Sequence, residues 1–590
     1  MTTDRSYDVI IVGGGHNGLV CAAYLARAGR RVLVLERRSI VGGACVTEEL
    51  IPGFRFSTAS LVASLFRSEI LQELQLKAHG LRFLHRDPSV VALLPGGEHL
   101  MLGGDEREGR EEIARFSPAD AERYRQYGEL MRRLHSLMRA QFIEDAGREL
   151  AADPVELKTF LRKAIELSDS DLQHLVRLLF GSAREFLDSW FATDALKATL
   201  AIDGITGVNA GPSAPGTAYL MLYHMTGMTE TGRPAWSQIR GGMGSLTQAL
   251  AASGRSSGAD IVTDAHVARI LVEDGEACGV ELADGRVFRA RAVASAADPR
   301  TTFLELVEPQ HVPSGLQHAI RARDFEGVAA KIHLALDRLP AIAGFADGEP
   351  SGRHYQGTLL VAPSLDYLDA AYADARAGRP SSRPHIECTI PTILDPSLAP
   401  PGKHIMSMYV QYAPYHLADG SWAQVKEQFA DRVLGCLEDY MPGLTSAVLD
   451  RRVYSPADLE AELSLAGGNL YHGAMSPGDL VFGRPGPGCG GYRTPVAGLY
   501  LCASGASPGG GVFGVPGANA ARVIAADLAA GRVTAGSRRI AAFPEAPAAR
   551  SAYQHATLPL TKDVCERDER RPAAGTSGLT AGRQGGPEHG

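Results

Sequence analysis

The residues best placed to do chemistry in this chain are three glycines and an acid: Gly13, Gly15 and Gly18, spaced G-x-G-x-x-G, and Glu36. Such a set holds a dinucleotide. The first glycine permits a tight turn, and the second lets backbone N–H groups approach a pyrophosphate with no Cβ in the way. The third lets a helix pack closely on a sheet. Glu36 can accept both hydroxyls of an adenosine ribose, and its charge repels a 2′-phosphate, which argues against NADP. Other chemistry-bearing residues are fewer. His472, in Asn469-Leu-Tyr-His-Gly-Ala-Met475, is the catalytic candidate, able to touch a reacting ring or substrate; a hydrogen-bonded loop histidine explains it as well. His16 sits inside the glycine loop, where local packing is the simpler role. Tyr223 and His224 can line a cavity or merely form a helix face, and Arg484 can hold a loop or a substrate carboxylate. Cys45 follows the first nucleotide unit, but Leu50 stands where a dithiol partner would be, so Cys45 reads as a small buried residue.

The elements that must position these residues follow from the pattern around them. An apolar strand, Val9–Val12, runs into the glycines; an amphipathic helix continues to Ala28, Gly29 stops it, and Val32–Leu35 is a second strand ending on Glu36. Residues 106–228 turn helical, beginning with a helix that Ser117 caps and Pro118 opens. Further helices are expected at 155–167 and 171–187. Over residues 260–297 the period changes to two, with Asp274-Gly275 and Asp284-Gly285 as turns, which predicts a β-meander. A strand is expected at Ile405–Gln411, a helix at Ala423–Tyr440, and a buried strand at Gly498–Ser504 before the glycine-rich stretch 505–517. Gly241-Gly242 marks a close turn. The predicted division is a discontinuous nucleotide-binding domain (1–75, 235–325 and 465–532), a substrate or cap domain (76–234 and 326–464), and a tail (533–590) without periodicity, expected to be disordered.

Size and composition narrow the classes. A chain of 590 residues exceeds one simple core. A formal charge of −8 gives no electrostatic reason to expect nucleic acid. The eight cysteines never form C-x-x-C, which fits a reducing compartment and offers no metal site. No apolar run is long enough to span a bilayer and no export segment opens the chain, so a cytoplasmic location is expected.

Two features favour FAD over NAD. Gly42-Gly43, just beyond Glu36, places a second backbone turn near the pyrophosphate. The distant segment from Leu499 to Pro516 repeats the logic of strand, glycine loop and helix start, as flavin enzymes do where the chain closes over the ribityl group and ring. No second G-x-G-x-x-G unit with its strand, helix and acid is present. GGGHNGLVCAAYLARAGRRVLVLE, VGGACVTEE, IRGGMGSLTQAL, GGNLYHGAMSPGDLVFGRP and LYLCASGASPGGGVFGVPGANAA together resemble the phytoene desaturase-type flavin oxidoreductases. That resemblance implies an α/β fold like that of the amine oxidases, a Rossmann-type FAD-binding domain with an inserted α+β substrate domain. It implies that Arg37 or Arg38 lies beside the adenine or phosphate, that the Val267 backbone meets the adenine, and that Gly505, Gly514 and Val515 approach the ribityl and ring. The implied reaction is hydride abstraction from an apolar, polyene or isoprenoid substrate, with oxygen or a quinone as final electron acceptor. An amine or amino-acid oxidase of the same fold, and a flavoprotein with a regulatory role, are the alternatives. Peripheral membrane contact is compatible with a lipophilic substrate, although no basic amphipathic helix requires it.

Overall fold

The computed structural model describes residues 7–103, 105–138, 162–225, 237–345, 352–475 and 484–533. Two seven-stranded sheets organise them. In the first, five strands lie parallel in the order Leu499–Leu501, Val287–Ser295, Tyr7–Val12, Val32–Leu35 and Asp260–Val262. Tyr7–Val12 and Val32–Leu35 are apolar along almost their whole length because a parallel strand is covered on both faces. Helix His16–Arg27 follows the first strand and packs against helices Gly244–Ser256 and Val515–Ala529. Small residues make that contact close: a Cβ on Gly517 would stand 2.1 Å from the carbonyl oxygen of Asn17.

The expected meander is smaller than its period suggested. Val267–Glu273, Glu276–Leu282 and the first half of Val287–Ser295 form it. Asp260–Val262 instead pairs in parallel with Val32–Leu35, because the turn through Asp264, at φ +51°, redirects the chain before the meander begins. The single helix expected at 171–187 is two, Asp169–Phe180 and Ala183–Asp188. Ser182 breaks it by accepting from the N–H of Glu185 while the Glu185 carboxylate accepts from the N–H of Ser182, a capping box that starts a new helix. Ser117 does accept from the Asp120 N–H at the start of Pro118–Met138. Most of the helix expected at 155–167 and nearly all of the tail lie outside the described residues.

The second sheet runs Val448–Tyr454, Ala329–Leu336, His404–Gln411, His385–Thr389, Thr358–Val361, Val90–Leu93, His99–Leu102, antiparallel except between Thr358–Val361 and Val90–Leu93. One face carries Ile332, Leu334, Met406, Met408 and Ile386 against helix Trp422–Glu438. The opposite face is buried yet polar. It looks toward helix Asp194–Ile205, to which Gln411 is hydrogen-bonded, and toward the hairpin Thr47–Ile51 and Phe54–Ser57. Helices Pro118–Met138, Asp169–Phe180, Asp194–Ile205 and Thr217–His224 share a separate apolar core with Tyr471, Met475 and Phe513. No helix among the described residues is long and apolar enough to cross a membrane.

Candidate functional site

The glycine loop has the shape its spacing demands. Gly13 sits at φ +99° and donates to the Leu35 carbonyl at 2.8 Å, tying the turn to the second strand. A Cβ on Gly18 would lie 2.4 Å from the Gly13 carbonyl oxygen, so the helix can start here only without one. A Cβ on Gly15 would meet nothing within 4 Å, which leaves open space at the start of the helix. No side chain caps that start, so its first N–H groups and the positive end of the helix dipole are available to an anion. Gly42 and Gly43 close in from the other side: the Gly42 N–H donates to the Gly14 carbonyl at 2.9 Å, and Gly15 and Gly42 form a parallel bridge. This cradle fits a pyrophosphate.

Glu36 is buried, and its carboxylate accepts from the N–H groups of Gly14 at 2.7 Å and Arg38 at 2.9 Å. It therefore shapes the loop as well as offering its remaining lone pairs to a ribose. Glu36→Ala leaves two N–H groups without partners, a cost of roughly 1–3 kcal/mol each. The expected result is at least a tenfold weaker FAD dissociation constant, read by fluorescence titration; wild-type affinity would remove Glu36 from the cradle. Arg38 is engaged by Glu48 at 2.6 Å, and the exposed Arg37 reaches the Glu462 carbonyl at 3.3 Å. Val267 is buried two residues after Ala265, whose N–H donates to the Glu36 carbonyl at 2.9 Å.

The C-terminal glycine segment lies against this loop. His16 Nε2 is 3.1 Å from the Gly511 carbonyl, and Tyr223 donates to the Gly510 carbonyl at 2.7 Å. Gly510 has no room for a side chain, since a Cβ would stand 2.3 Å from the Tyr471 ring. Gly505 is demanded by Pro299, whose Cδ would be 2.4 Å from a Cβ there. Gly514, at φ +78°, turns the chain into helix Val515–Ala529, which Val515 and Pro516 open without a side-chain cap. Two helix starts, from opposite ends of the sequence, thus serve one region.

His472 joins it from a third segment. The residue is half-buried at φ +58°, and its Nδ1 is closed off without a hydrogen-bond partner. Burial holds the ring below the ordinary histidine range, with nearby Asp298 opposing and Arg484 reinforcing the effect. Arg484 is a buried clamp on the backbone: it donates to the carbonyls of Ser504, Ala474, Tyr471 and Gly473. Cys45 is fully buried, 3.7 Å from His16 Nδ1, and burial pushes its thiol up to about 12, far from thiolate reactivity. Gly241 and Gly242 make the close turn, fastened where the Gly241 N–H donates to Asp395 at 2.6 Å. Among the described residues no His, Cys, Asp and Glu group suits a metal ion.

Sequence reasoning missed the polar face of the second sheet. Lys331, Tyr409 and Glu387 occupy one register row across three strands, and Gln411 and His385 the row beside it. Their signal was present in the period-two pattern of Ala329–Leu336, where Lys331 and His333 alternate within an otherwise apolar strand. Burial lowers Lys331 to about 7 and raises Glu387 to about 7, each partly opposed by the other's charge. Lys331's folded value lies below its unfolded one, so stability falls as pH drops from the ordinary lysine range to about 7 and is constant below. Lys331→Met should therefore unfold at a higher temperature than wild type at pH 7, by roughly 1 °C for each kcal/mol recovered in a unit of this length. The difference should vanish near pH 10; a Met variant less stable at every pH would contradict it. Beside this face, a cleft of about 380 Å³ is lined by the turn Gly207–Ala210, by Leu220, by Arg323 and Asp324, and by Asn469 and Met475.

Comparison with known proteins adds four findings. The family model described as flavin containing amine oxidoreductase matches residues 18–519. The mouse (Mus musculus) pyridine nucleotide-disulfide oxidoreductase domain-containing protein 2 is 42% identical over 544 residues, 88% of this chain and 94% of its own. A limonene dehydrogenase polypeptide of Castellaniella defragrans is 30% identical over 90% of this chain and 96% of its own. The solved cyclohexylamine oxidase of Brevibacterium oxydans superposes with a TM-score of 0.55 at 18% identity, over 89% of this chain and 99% of its own.

Proposed function

Because the chain belongs to the flavin-containing amine oxidoreductase family and is an FAD-dependent oxidoreductase of the phytoene desaturase-like kind, we propose that it dehydrogenates an apolar, isoprenoid-type small molecule. The observation that carries this reading is the whole-length similarity to a limonene dehydrogenase polypeptide at 30% identity, against 18% for the amine oxidase, whose likeness is one of fold. In this reading 1–75, 235–325 and 465–532 hold the cofactor, and 76–234 with 326–464 hold the substrate.

FAD, when bound, supplies the two-electron acceptor for a substrate hydride, and oxygen or a quinone then takes the electrons. The chain's own part is to position and to shape charge. The helix starts at His16 and Val515 and the backbone around Gly13–Gly18 and Gly42–Gly43 hold the pyrophosphate and the negative charge of the cofactor. Glu36 takes the ribose. His472, with Nδ1 free of any partner, offers one lone pair or one N–H to a group bound between the three segments. Arg484 keeps loops 471–475 and 504 in register with each other.

The test is an anaerobic titration of the flavin-loaded protein with limonene, longer isoprenoids and aliphatic amines, following the flavin absorbance. Bleaching by isoprenoids and not by amines is the expected outcome. Bleaching by amines alone would replace this reading with an amine oxidase, and a protein that takes up no FAD would remove it altogether.

A further inference from the structure

Two successive carbonyls of the C-terminal glycine loop are held by side chains from distant parts of the chain. Tyr223, on helix Thr217–His224 of the helical layer, donates its hydroxyl to the Gly510 carbonyl at 2.7 Å. His16, the first residue of the helix that follows the N-terminal glycine loop, meets the Gly511 carbonyl with Nε2 at 3.1 Å.

The partners fix where the protons are. A carbonyl only accepts, so the His16 proton sits on Nε2 and Nδ1 keeps its lone pair. Cys45 Sγ lies 3.7 Å from that Nδ1, and Ser60 Oγ donates to Cys45 Sγ at 3.7 Å. Ser60 O–H, Cys45 S–H and His16 Nε2–H therefore point one after another toward Gly511. Burial lowers His16 to about 4 and holds the Tyr223 hydroxyl well above the ordinary phenol range, so near neutral pH both are uncharged donors.

Tying down a carbonyl also aims the amide of the same peptide. The bond between Gly510 and Gly511 is trans, so the Gly511 N–H points opposite to the Gly510 carbonyl, away from helix Thr217–His224. The His16 bond to the next carbonyl, with Gly511 at φ +112°, keeps that amide from turning. No acceptor among the described residues takes the Gly511 N–H. Gly511 is also only partly covered, whereas Gly509 and Gly510 before it are buried. An aimed donor without a protein acceptor, next to the cofactor cradle, fits a group that gains negative charge during the reaction.

We propose that the Gly511 N–H donates to the ring of bound FAD, and that Tyr223 and His16 are the residues that position it. This role depends on the cofactor and is independent of which substrate is oxidised, so it reaches beyond the isoprenoid reading. A hydride brings the ring two electrons and one proton, leaving it one charge more negative. A fixed donor beside the ring therefore favours reduced over oxidised flavin.

The experiment measures the two-electron midpoint potential of the FAD-loaded full chain by equilibration with reference dyes, together with its dissociation constant for oxidised FAD. Tyr223→Phe removes one oxygen, and His16→Leu removes both ring nitrogens. Each should weaken binding of reduced relative to oxidised FAD about tenfold, which lowers the potential by about 30 mV. His16→Gln keeps a side-chain N–H for Gly511 and should return to within about threefold of wild type. A purely structural role would weaken both forms of the flavin alike and leave the potential where it was. A wild-type potential in both Tyr223→Phe and His16→Leu, or His16→Gln falling as far as His16→Leu, would overturn the proposal. Should His16→Leu fail to fold, Tyr223→Phe decides alone, since its ring keeps the edge contact with Phe513. Wild-type protein that takes up no FAD would remove the flavin itself and the proposal with it, and that result is seen before any variant is made.

Discussion

Gly18→Ala will give a protein that carries no flavin and unfolds early. The added Cβ would stand 2.4 Å from the Gly13 carbonyl oxygen and 3.0 Å from the Ala296 Cβ. Neither neighbour can yield. The Gly13 carbonyl belongs to a turn at φ +99° held where the Gly13 N–H donates to Leu35, and Ala296, just past strand Val287–Ser295, is fixed by its N–H donating to the Val12 carbonyl. The helix must lift off the sheet, breaking its fit to Gly517 and opening the cradle. Overpacking of this kind costs roughly 1–3 kcal/mol and more where backbone must move. Flavin content, taken from the ratio of flavin to protein absorbance, should fall below about a tenth of wild type. Gly15→Ala is the matched control. Its Cβ meets no protein atom within 4 Å, so the apoprotein should unfold at the wild-type temperature while flavin binding is lost. A Gly15→Ala protein with full flavin would show that the open space beside Gly15 is not where the pyrophosphate lies.

Arg484→Met should cost about 3 kcal/mol or more of stability, the largest loss expected from any one side chain near the site. The guanidinium is 4% exposed and donates to Ser504 at 3.0 Å, Ala474 at 2.7 Å and Gly473 at 3.4 Å, besides Tyr471 and the Met475 sulfur. Removing it leaves several buried carbonyls without donors and uncouples the His472 loop from the strand end that leads into the C-terminal glycines. Arg484→Lys should recover only part, because a single ammonium cannot span the carbonyls that the planar fork reaches. Denaturant midpoints measure this directly. A Met variant with a wild-type midpoint would mean the clamp is dispensable, and a variant stable but unable to bind ligand would return Arg484 to the role of a substrate-carboxylate partner.

The two expectations draw on different depths of the sequence. The glycine loop, its helix and Glu36 occur within one contiguous stretch, and each residue type answers a local steric or hydrogen-bonding demand. The strand, loop, helix, strand order followed from that stretch alone, as did the cradle geometry. Asp260–Val262 was misread because period-two patterning does not say which neighbour a strand pairs with; the turn at Asp264 decided that. Helix Asp169–Phe180 stops where it does because of a capping box whose members look ordinary inside a helical period.

Arg484 and His472 stood out in the sequence as residue types able to do chemistry, without any sign of what they touch. The structure makes the first a backbone clamp and leaves the second with a closed-off, unpartnered Nδ1. Local sequence sufficed for the nucleotide cradle because its parts are neighbours along the chain and the physics is that of one turn and one helix end. The polar patch of Lys331, His385 and Glu387 was decided only by tertiary structure. Lys331 lies more than fifty residues before His385 and Glu387, and antiparallel register alone puts them on one buried face, opposite the apolar face that packs on Trp422–Glu438.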